Sequence, residues 1–282
     1  MAKVIIGIHG LANKPKKDDL RDGWCTAIVE GLQKNAGISE PTINFVMVDY
    51  ADVYYAGKRL TPEANEEPYK AAKDGALKRY DERFWEFVGG KVEEVVGEKV
   101  DKAKEKLGWT TDVIDKALTK VLKDLGLYYT DPTKREAIQA TLRDTLNEHK
   151  NNEVMLIAHS MGTIVAYDVL REIGRENRGV AVSHLVTIGS PLGLAHVKRK
   201  IQLESPNSRL RTPSIVTRSW VNYADRRDYV ALDSHLGDDY KANSGNVRVQ
   251  DDRVINDYPN NAHKSYGYLR TPELSEHIAA FL

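Results

Sequence analysis

The chain contains 282 residues, of which 41% are hydrophobic and 29% are charged, and this profile is typical of a soluble globular protein with a sizeable core. The 41 Lys and Arg residues balance 41 Asp and Glu residues, so charge gives no reason to expect nucleic acid or an acidic membrane surface as a partner. The single cysteine, Cys25, excludes an internal disulfide and fits a reducing compartment, so we expect a cytoplasmic protein.

The beginning of the chain predicts a strand, a helix and a second strand. Residues 4–8 form a short apolar run rich in β-branched side chains, which is typical of a buried strand rather than of a signal peptide. Residues 22–34 place apolar side chains at helical spacing, and residues 43–48 form another apolar run. This β-α-β order implies a parallel sheet that is covered by helices.

A long connection without a convincing strand follows the second strand, and two of its charged stretches carry apolar residues at helical spacing. Connections in α/β units usually span ~2–6 residues. We therefore expect a core formed by residues 1–50 and 131–282 and a helical insertion over residues 51–130. Because the insertion leaves the sheet at the edge where ligands bind, we expect it to cap a site at that edge and to shape an apolar pocket there. The alternative is a charged, solvent-exposed helical hairpin with no such role.

The rest of the chain predicts further helices and strands in alternation. Asp131 followed by Pro132 is typical of a helix start, and this helix is expected to end near residue 149. The later predictions are a strand at 154–158, a helix after residue 160 that ends near residue 174, strands at 182–188 and 214–223, a small hairpin at 247–255, and a closing helix at 272–282.

Ser160 lies at the sharp turn between the predicted strand 154–158 and the next helix, and this context favours a catalytic nucleophile. Such a corner places the hydroxyl at the edge of the sheet and leaves the backbone N–H of Met161 free to bind an oxyanion. Ala158 and Gly162 are small enough to let strand and helix approach closely. The alternative is that Ser160 is an ordinary helix N-cap.

Several segments resemble motifs of bacterial lipases and esterases of the α/β-hydrolase superfamily. Residues 158–162 (Ala-His-Ser-Met-Gly) and residues 8–11 (Ile-His-Gly-Leu) resemble the paired motifs of these enzymes, although Ala158 replaces the commoner glycine. Residues 228–231 resemble the Asp-x-Val segment of the family, and residues 262–266 resemble its histidine loop. The resemblance implies an α/β-hydrolase fold, in which a mostly parallel sheet has flanking helices and a helical cap insertion.

The resemblance also implies a role for each matched residue. Ser160 would attack an acyl carbonyl, His263 would act as the base, and an aspartate would orient His263, in the order that this superfamily uses. Asp228 is favoured because Val-Ala follows it closely, whereas Asp225 lies nearer to the end of the preceding strand. Either aspartate could instead be a turn or salt-bridge residue beside the neighbouring arginines, and His263 could instead be a surface histidine.

The oxyanion hole would use the backbone N–H groups of Leu11 and Met161. The residues expected to support the site are His9, Gly10, His159 and Gly162. In this interpretation Gly10 lets the backbone approach the substrate, and its alternative is a plain turn glycine. His159 would shape the turn or line the pocket.

These patterns predict a serine hydrolase of the carboxylesterase or lipase type, which cleaves carboxylic esters, lipid esters among them, through an acyl-enzyme. The alternative is a non-catalytic α/β-hydrolase scaffold whose helical insertion binds a protein partner. The chain has no His-Glu-x-x-His motif and no phosphate-binding glycine loop, so we expect no metal and no cofactor. The expected partner is a small acyl ester and not nucleic acid, and contact of the insertion with a membrane or lipid surface stays open although charge does not indicate it.

Overall fold

The computed structural model describes residues 1–10, 13–55, 57–61, 68–72, 77–80, 125–176, 179–204, 209–231 and 233–282. In this part of the chain, six parallel strands form one sheet in the order β2-β1-β3-β4-β5-β6. The strands are β1 (Lys3–Ile8), β2 (Phe45–Val48), β3 (Glu153–His159), β4 (Val182–Ile188), β5 (Val216–Ala224) and β6 (Val249–Arg253). The predicted parallel sheet with flanking helices is confirmed.

Helices connect these strands. Those with described bounds are α1 (Lys17–Asn35), α2 (Asp52–Tyr55), α3 (Pro132–Glu148), α4 (Met161–Glu176), α5 (Ala195–Leu203), α6 (Ser265–Leu269) and α7 (Pro272–Phe281), and a 3₁₀ turn spans Pro191–Gly193. Within the described ranges, none of the helices combines the length and the apolar character that crossing a membrane requires.

The helices cover both faces of the sheet, because successive side chains of a strand point to opposite sides. On β1, Val4, Ile6 and Ile8 pack into a core cluster that includes residues of α3 and α4. Ile5 belongs to a second cluster, which includes residues of α1, α6 and α7. Strands buried on both faces explain why the apolar runs in the sequence are nearly continuous.

The start of α3 follows the capping chemistry expected from the sequence. Asp131 has an extended backbone, and its carboxylate accepts a hydrogen bond from the backbone N–H of Lys134 at 3.0 Å. Pro132 occupies the first helical turn, where a missing N–H costs nothing. The predicted helix is therefore confirmed. By contrast, α1 begins at Lys17 rather than at residue 22, and α5 was not expected from the sequence.

The predicted hairpin at 247–255 is wrong. The residues expected to form its turn lie inside β6, which runs parallel to β5 as the edge of the sheet. The Asp251 carboxylate accepts hydrogen bonds from Asn222 Nδ2 at 3.0 Å and from the backbone N–H groups of Leu236 and Gly237 at 2.9 and 2.7 Å. These long-range partners stabilise an acidic side chain within a strand, where composition alone predicts a turn.

The carboxyl ends of the central strands meet at one edge of the sheet. Ile8 pairs with Ala158, and His159 pairs with Ile188 in the neighbouring ladder. On β5, Tyr223 pairs with Ile188. The segments that follow β1, β3, β4 and β5 therefore begin side by side, although they are far apart in the sequence.

His277 of α7 belongs to a network of imidazoles and hydroxyls that joins this helix to β4 and β5. Its Nδ1 lies 3.1 Å from the Tyr223 hydroxyl, and its Nε2 lies 3.2 Å from Nδ1 of His184. Burial, followed by the charge of His184, lowers the pKa of His277 to about 4. Burial also lowers the pKa of His184. Both rings are therefore neutral in the folded chain near neutral pH.

We expect the free energy of unfolding to fall as the pH is lowered from about 6.5 towards about 4. In the unfolded chain these imidazoles regain their ordinary pKa and bind protons in a range where the folded chain does not, so acid favours unfolding. Above about pH 6.5 these imidazoles are neutral in both the folded and the unfolded chain, so their protonation no longer lowers the free energy of unfolding. Urea unfolding of wild type and His277→Gln at several pH values measures this effect, and an identical loss of stability in the two proteins would contradict it.

Candidate active site

Ser160 occupies a strained corner between β3 and α4. Its φ of 53° lies in the left-handed region, which costs a residue other than glycine ~1–3 kcal/mol unless the surroundings hold it. Its N–H donates to the carbonyl of Ile188 at 3.1 Å, and its carbonyl accepts from the N–H and the hydroxyl of Thr163 at 2.9 and 2.7 Å. This backbone is unlike the extended backbone of an ordinary N-cap, so the corner presents the serine hydroxyl at the sheet edge.

Two glycines allow the loop after β1 to lie against this corner. A Cβ on Gly162 would come within 2.5 Å of the His9 carbonyl oxygen and 2.8 Å of the Ile8 carbonyl oxygen. A Cβ on Gly10 would come within 2.7 Å of Ser160 Cβ. Any larger side chain would force the two segments apart, so both glycines allow this loop to approach the corner. The sequence instead predicted that Gly162 lets strand and helix approach and that Gly10 lets the backbone approach the substrate.

The imidazole of His263 lies between Ser160 and Asp228. Its Nε2 is 2.9 Å from Ser160 Oγ, and its Nδ1 is 2.9 Å from each carboxylate oxygen of Asp228. Because the carboxylate only accepts, Nδ1 carries the proton, and Nε2 of the neutral ring can accept the serine hydroxyl. The structure thus brings together a hydroxyl, a base and a carboxylate in the order that nucleophilic catalysis requires.

Asp228 is a buried carboxylate with several donors around it. Besides His263 Nδ1, its oxygens accept hydrogen bonds from the backbone N–H groups of Val230 and Ala231 at 2.8 and 3.4 Å and from the Tyr268 hydroxyl at 2.8 Å. Burial, followed by the charges of Asp228 and Asp225, raises the pKa of Tyr268 well above its usual value, so its hydroxyl keeps the proton that it donates. These donors compensate for the loss of water around the carboxylate.

Asp225, the other candidate acid, does not contact His263 Nδ1 but forms a salt bridge. Its carboxylate binds Arg227 through the guanidinium Nε at 3.0 Å and Nη2 at 2.6 Å, and also through the backbone N–H at 2.7 Å. It further accepts a hydrogen bond from the backbone N–H of Asn256 at 2.6 Å. Asp225 is therefore a salt-bridge residue, which was the alternative given for either aspartate, whereas Asp228 is the aspartate that contacts the imidazole.

Of the two expected oxyanion donors, one can be placed. Met161 is the first residue of α4, where N–H groups have no acceptor within the helix. This position follows Ser160 directly, so the amide lies at the carboxyl edge of the sheet. Leu11, the expected second donor, lies outside the described residues.

His9 ties the end of β1 to β2. Its Nδ1 donates to the Gly10 carbonyl at 2.6 Å, and its Nε2 lies 3.0 Å from Asp49 Oδ1. The ring stacks on Tyr50 with 4.3 Å between centroids, and Asp49 also pairs with Arg59. Burial lowers the pKa of His9, and the contact with Asp49 opposes this shift. His9 therefore holds Gly10 in place beside Ser160.

His159 lies directly behind the imidazole of His263. Its Nε2 donates to the backbone carbonyl of His263 at 2.7 Å, and the ring centroids are 4.8 Å apart. Burial, followed by the charge of His263, lowers the pKa of His159 well below its usual value. His159 is therefore a neutral donor to the histidine loop, and its expected role of shaping the turn or lining the pocket stays a prediction.

Two residues of this site, Tyr268 and Asn256, carried no signal in the sequence, and Arg227 was expected only as a possible salt-bridge partner of the aspartates. Tyr268 lies in the short helix α6, and Arg227 and Asn256 lie in loops without a recognisable motif. The bond between Arg227 and the Asn256 carbonyl spans 29 residues and the bond between Tyr268 and Asp228 spans 40, so both arise only on folding.

Comparison with known families supports the architecture. Residues 130–212 match the family model described as "Alpha/beta hydrolase of unknown function (DUF900)". The match spans β3, the Ser160 corner, α4 and β4, and it ends before Asp228 and His263. No curated protein matches the chain. The matched family and the all-parallel sheet both indicate the α/β-hydrolase superfamily, and the subfamily is unassigned.

Proposed function

We propose that this chain, which belongs to the α/β-hydrolase superfamily, is a serine hydrolase that cleaves carboxylic esters through an acyl-enzyme on Ser160. The observation that supports the proposal is the pair of 2.9 Å contacts that join Ser160 Oγ to His263 Nε2 and His263 Nδ1 to Asp228. A serine hydroxyl is a weak nucleophile alone, and a base in hydrogen-bond reach activates it.

In the proposed acylation, Ser160 Oγ attacks the acyl carbon while His263 Nε2 takes the hydroxyl proton. The carbonyl oxygen becomes an oxyanion, which accepts a hydrogen bond from the Met161 N–H and, in this proposal, from the Leu11 N–H. His263 then donates its proton to the departing alkoxide as the bond between acyl carbon and alcohol oxygen breaks. Water attacks the acyl-enzyme by the same route, releases the acid and restores Ser160.

Asp228 has two tasks in this mechanism. It fixes the neutral imidazole in the tautomer with the proton on Nδ1, and it stabilises the imidazolium that forms when Nε2 takes the serine proton. The donors around its carboxylate hold it in position for both tasks. His159 contributes by remaining neutral, because a second positive charge beside His263 would oppose imidazolium formation.

We further propose that residues 51–130 form a cap over this site and shape its acyl pocket. Some described parts of this region contact the core at the end of β2 and beside the histidine loop. The Arg59 guanidinium bonds to the carboxylate of Asp49, and the Tyr258 hydroxyl donates to the Pro68 carbonyl at 2.6 Å. Tyr69 packs edge-on against Tyr266 with 5.6 Å between centroids. The region is therefore anchored beside both the β2 end and the histidine loop.

Hydrolysis of p-nitrophenyl esters of increasing acyl length tests the proposed reaction. We expect the protein to hydrolyse at least one ester and to release a first burst of p-nitrophenol equal in amount to the enzyme, because p-nitrophenolate is a good leaving group and acylation by such an ester is faster than hydrolysis of the acyl-enzyme. The series also reports the acyl length that the pocket accepts. If no ester in the series is hydrolysed faster than by a His263→Ala variant, the alternative of a non-catalytic scaffold is favoured.

A further inference from the structure

We propose that Asn256 is a positioning residue for His263, because its side-chain amide holds the backbone carbonyls on both sides of that histidine. This inference rests on the proposed function for its catalytic meaning. Asn256 Nδ2 donates to the carbonyl of Ala262 at 2.8 Å and to the carbonyl of Lys264 at 2.8 Å. Both bonds come from one buried NH₂ group, so they fix the distance between the two carbonyls.

The orientation of this amide follows from its partners. Asn256 Oδ1 accepts the backbone N–H of Tyr258 at 3.0 Å, while the NH₂ group faces two carbonyl oxygens. A flipped amide would oppose donor to donor and acceptor to acceptor, so only one assignment satisfies all three bonds. The α6 helix also leaves little space, since a Cβ on Gly267 would overlap Asn256 Oδ1.

The salt bridge between Asp225 and Arg227 holds the backbone of Asn256. Its N–H donates to Asp225 Oδ2 at 2.6 Å, and its carbonyl accepts from Arg227 Nη2 at 2.7 Å. Asp225 and Arg227 lie in the same loop as Asp228, which contacts the imidazole. The acid loop and the histidine loop are therefore joined a second time, independently of the bond between Asp228 and His263.

Three successive carbonyls of the histidine loop are thus held. Asn256 binds those of residues 262 and 264, and His159 binds that of His263 at 2.7 Å. The loop has little freedom to rotate, and the imidazole stays within 2.9 Å of both Ser160 and Asp228. Misplacement of a catalytic group by ~1 Å can cost ~10²-fold in rate, so this clamp bears directly on catalysis.

Asn243 offers a matched control for testing this role. Its Nδ2 also donates to two carbonyls, those of Pro213 at 3.0 Å and Val216 at 2.8 Å, and its Oδ1 accepts from two backbone N–H groups. It is buried as well, but Val216 begins β5, at the opposite end of that strand from the site. Asn243→Ala therefore removes the same kinds of side-chain bond, two donated to carbonyls and two accepted from backbone N–H groups, without touching the histidine loop.

We expect Asn256→Ala and Asn243→Ala to lower the melting temperature, but only Asn256→Ala to lower kcat for ester hydrolysis, by ~10–100-fold with little change in KM. Because His263 acts in proton transfer and not in ground-state binding, its misplacement lowers kcat and leaves KM nearly unchanged. The low-pH limb of the kcat/KM profile should also shift in Asn256→Ala alone, because the imidazolium is then less well placed against Asp228. Equal kcat values and equal pH profiles in the two variants would overturn the proposal.

Arg227→Met keeps the proposal testable if Asn256→Ala does not fold. It removes the bond to the Asn256 carbonyl from a side chain that is one-third exposed, at 33%. We expect a smaller loss of kcat in the same direction. Wild-type kcat in a folded Arg227→Met variant would count against the clamp.

A readout without substrate separates this inference from the proposed function. The Nδ1 proton of His263, bonded to Asp228, should give a downfield NMR resonance in wild type and in Asn243→Ala. We expect that resonance to be lost or broadened in Asn256→Ala, whether or not an ester is hydrolysed. An unchanged resonance would overturn the inference, whereas absence of esterase activity with this pattern intact would overturn the proposed function alone.

Discussion

Replacing Ser160 by alanine is expected to lower kcat/KM for p-nitrophenyl ester hydrolysis by ~10⁴-fold or more. The variant loses the oxygen that forms the acyl-enzyme, so the imidazole 2.9 Å away has no hydroxyl to activate. Binding of the ester and oxyanion stabilisation by backbone N–H groups would remain, which leaves a residual rate above that of water. The burst of p-nitrophenol should disappear completely.

Ser183→Ala is the matched control for this experiment. The Ser183 hydroxyl is buried on β4 and donates to the Val154 carbonyl at 2.6 Å, near the amino end of the sheet. Its loss removes a buried hydroxyl without touching the site, and activity should stay at the wild-type level. Retention of the burst in a folded Ser160→Ala variant would contradict the assignment of the nucleophile.

Asp228→Asn is expected to lower kcat by ~10³–10⁴-fold. An asparagine amide facing His263 Nδ1 can donate to it, and this favours the tautomer with the proton on Nε2. That tautomer cannot accept the proton of the Ser160 hydroxyl, although the shape of the site is unchanged. The imidazolium would also lose the negative charge that stabilises it.

Asp225→Asn provides the comparison, since it makes the same change three residues earlier in the chain. Its carboxylate binds Arg227 and the Asn256 N–H, so we expect a clearly smaller loss of activity, transmitted through the histidine loop. Steady-state kinetics of the two variants, with circular dichroism to show that both are folded, make the comparison. A larger loss of kcat in Asp225→Asn than in Asp228→Asn would reverse the assignment of the acid.

The strands that were predictable are those buried on both faces. Residues 154–158 form a continuous apolar run because helices cover both sides of β3, and the structure places this strand at Glu153–His159. The Ser160 corner was predictable for a related reason, since a strand, a small-residue turn and a helix follow one another within one short segment. Local sequence determines both features.

Features that depend on distant partners could not be predicted. Asp251 sits in β6 because Asn222 and two backbone N–H groups compensate its carboxylate, and these residues are not neighbours in the sequence. Asp225 and Asp228 look almost alike in sequence, and their surroundings differ only after folding, when one meets Arg227 and the other Tyr268. Asn256 belongs to no recognisable motif, because its role depends on the folded path of the chain, which brings the carbonyls of Ala262 and Lys264 to its side-chain amide.

The central claim is that Ser160 is an activated nucleophile. A fluorophosphonate probe reacts with a serine whose hydroxyl is activated by a neighbouring base, and peptide mass spectrometry locates the adduct. The account predicts one adduct, on the peptide that contains Ser160, and its disappearance in Ser160→Ala but not in Ser183→Ala. A folded wild-type protein that forms no adduct, or equal labelling of wild type and Ser160→Ala, would contradict it.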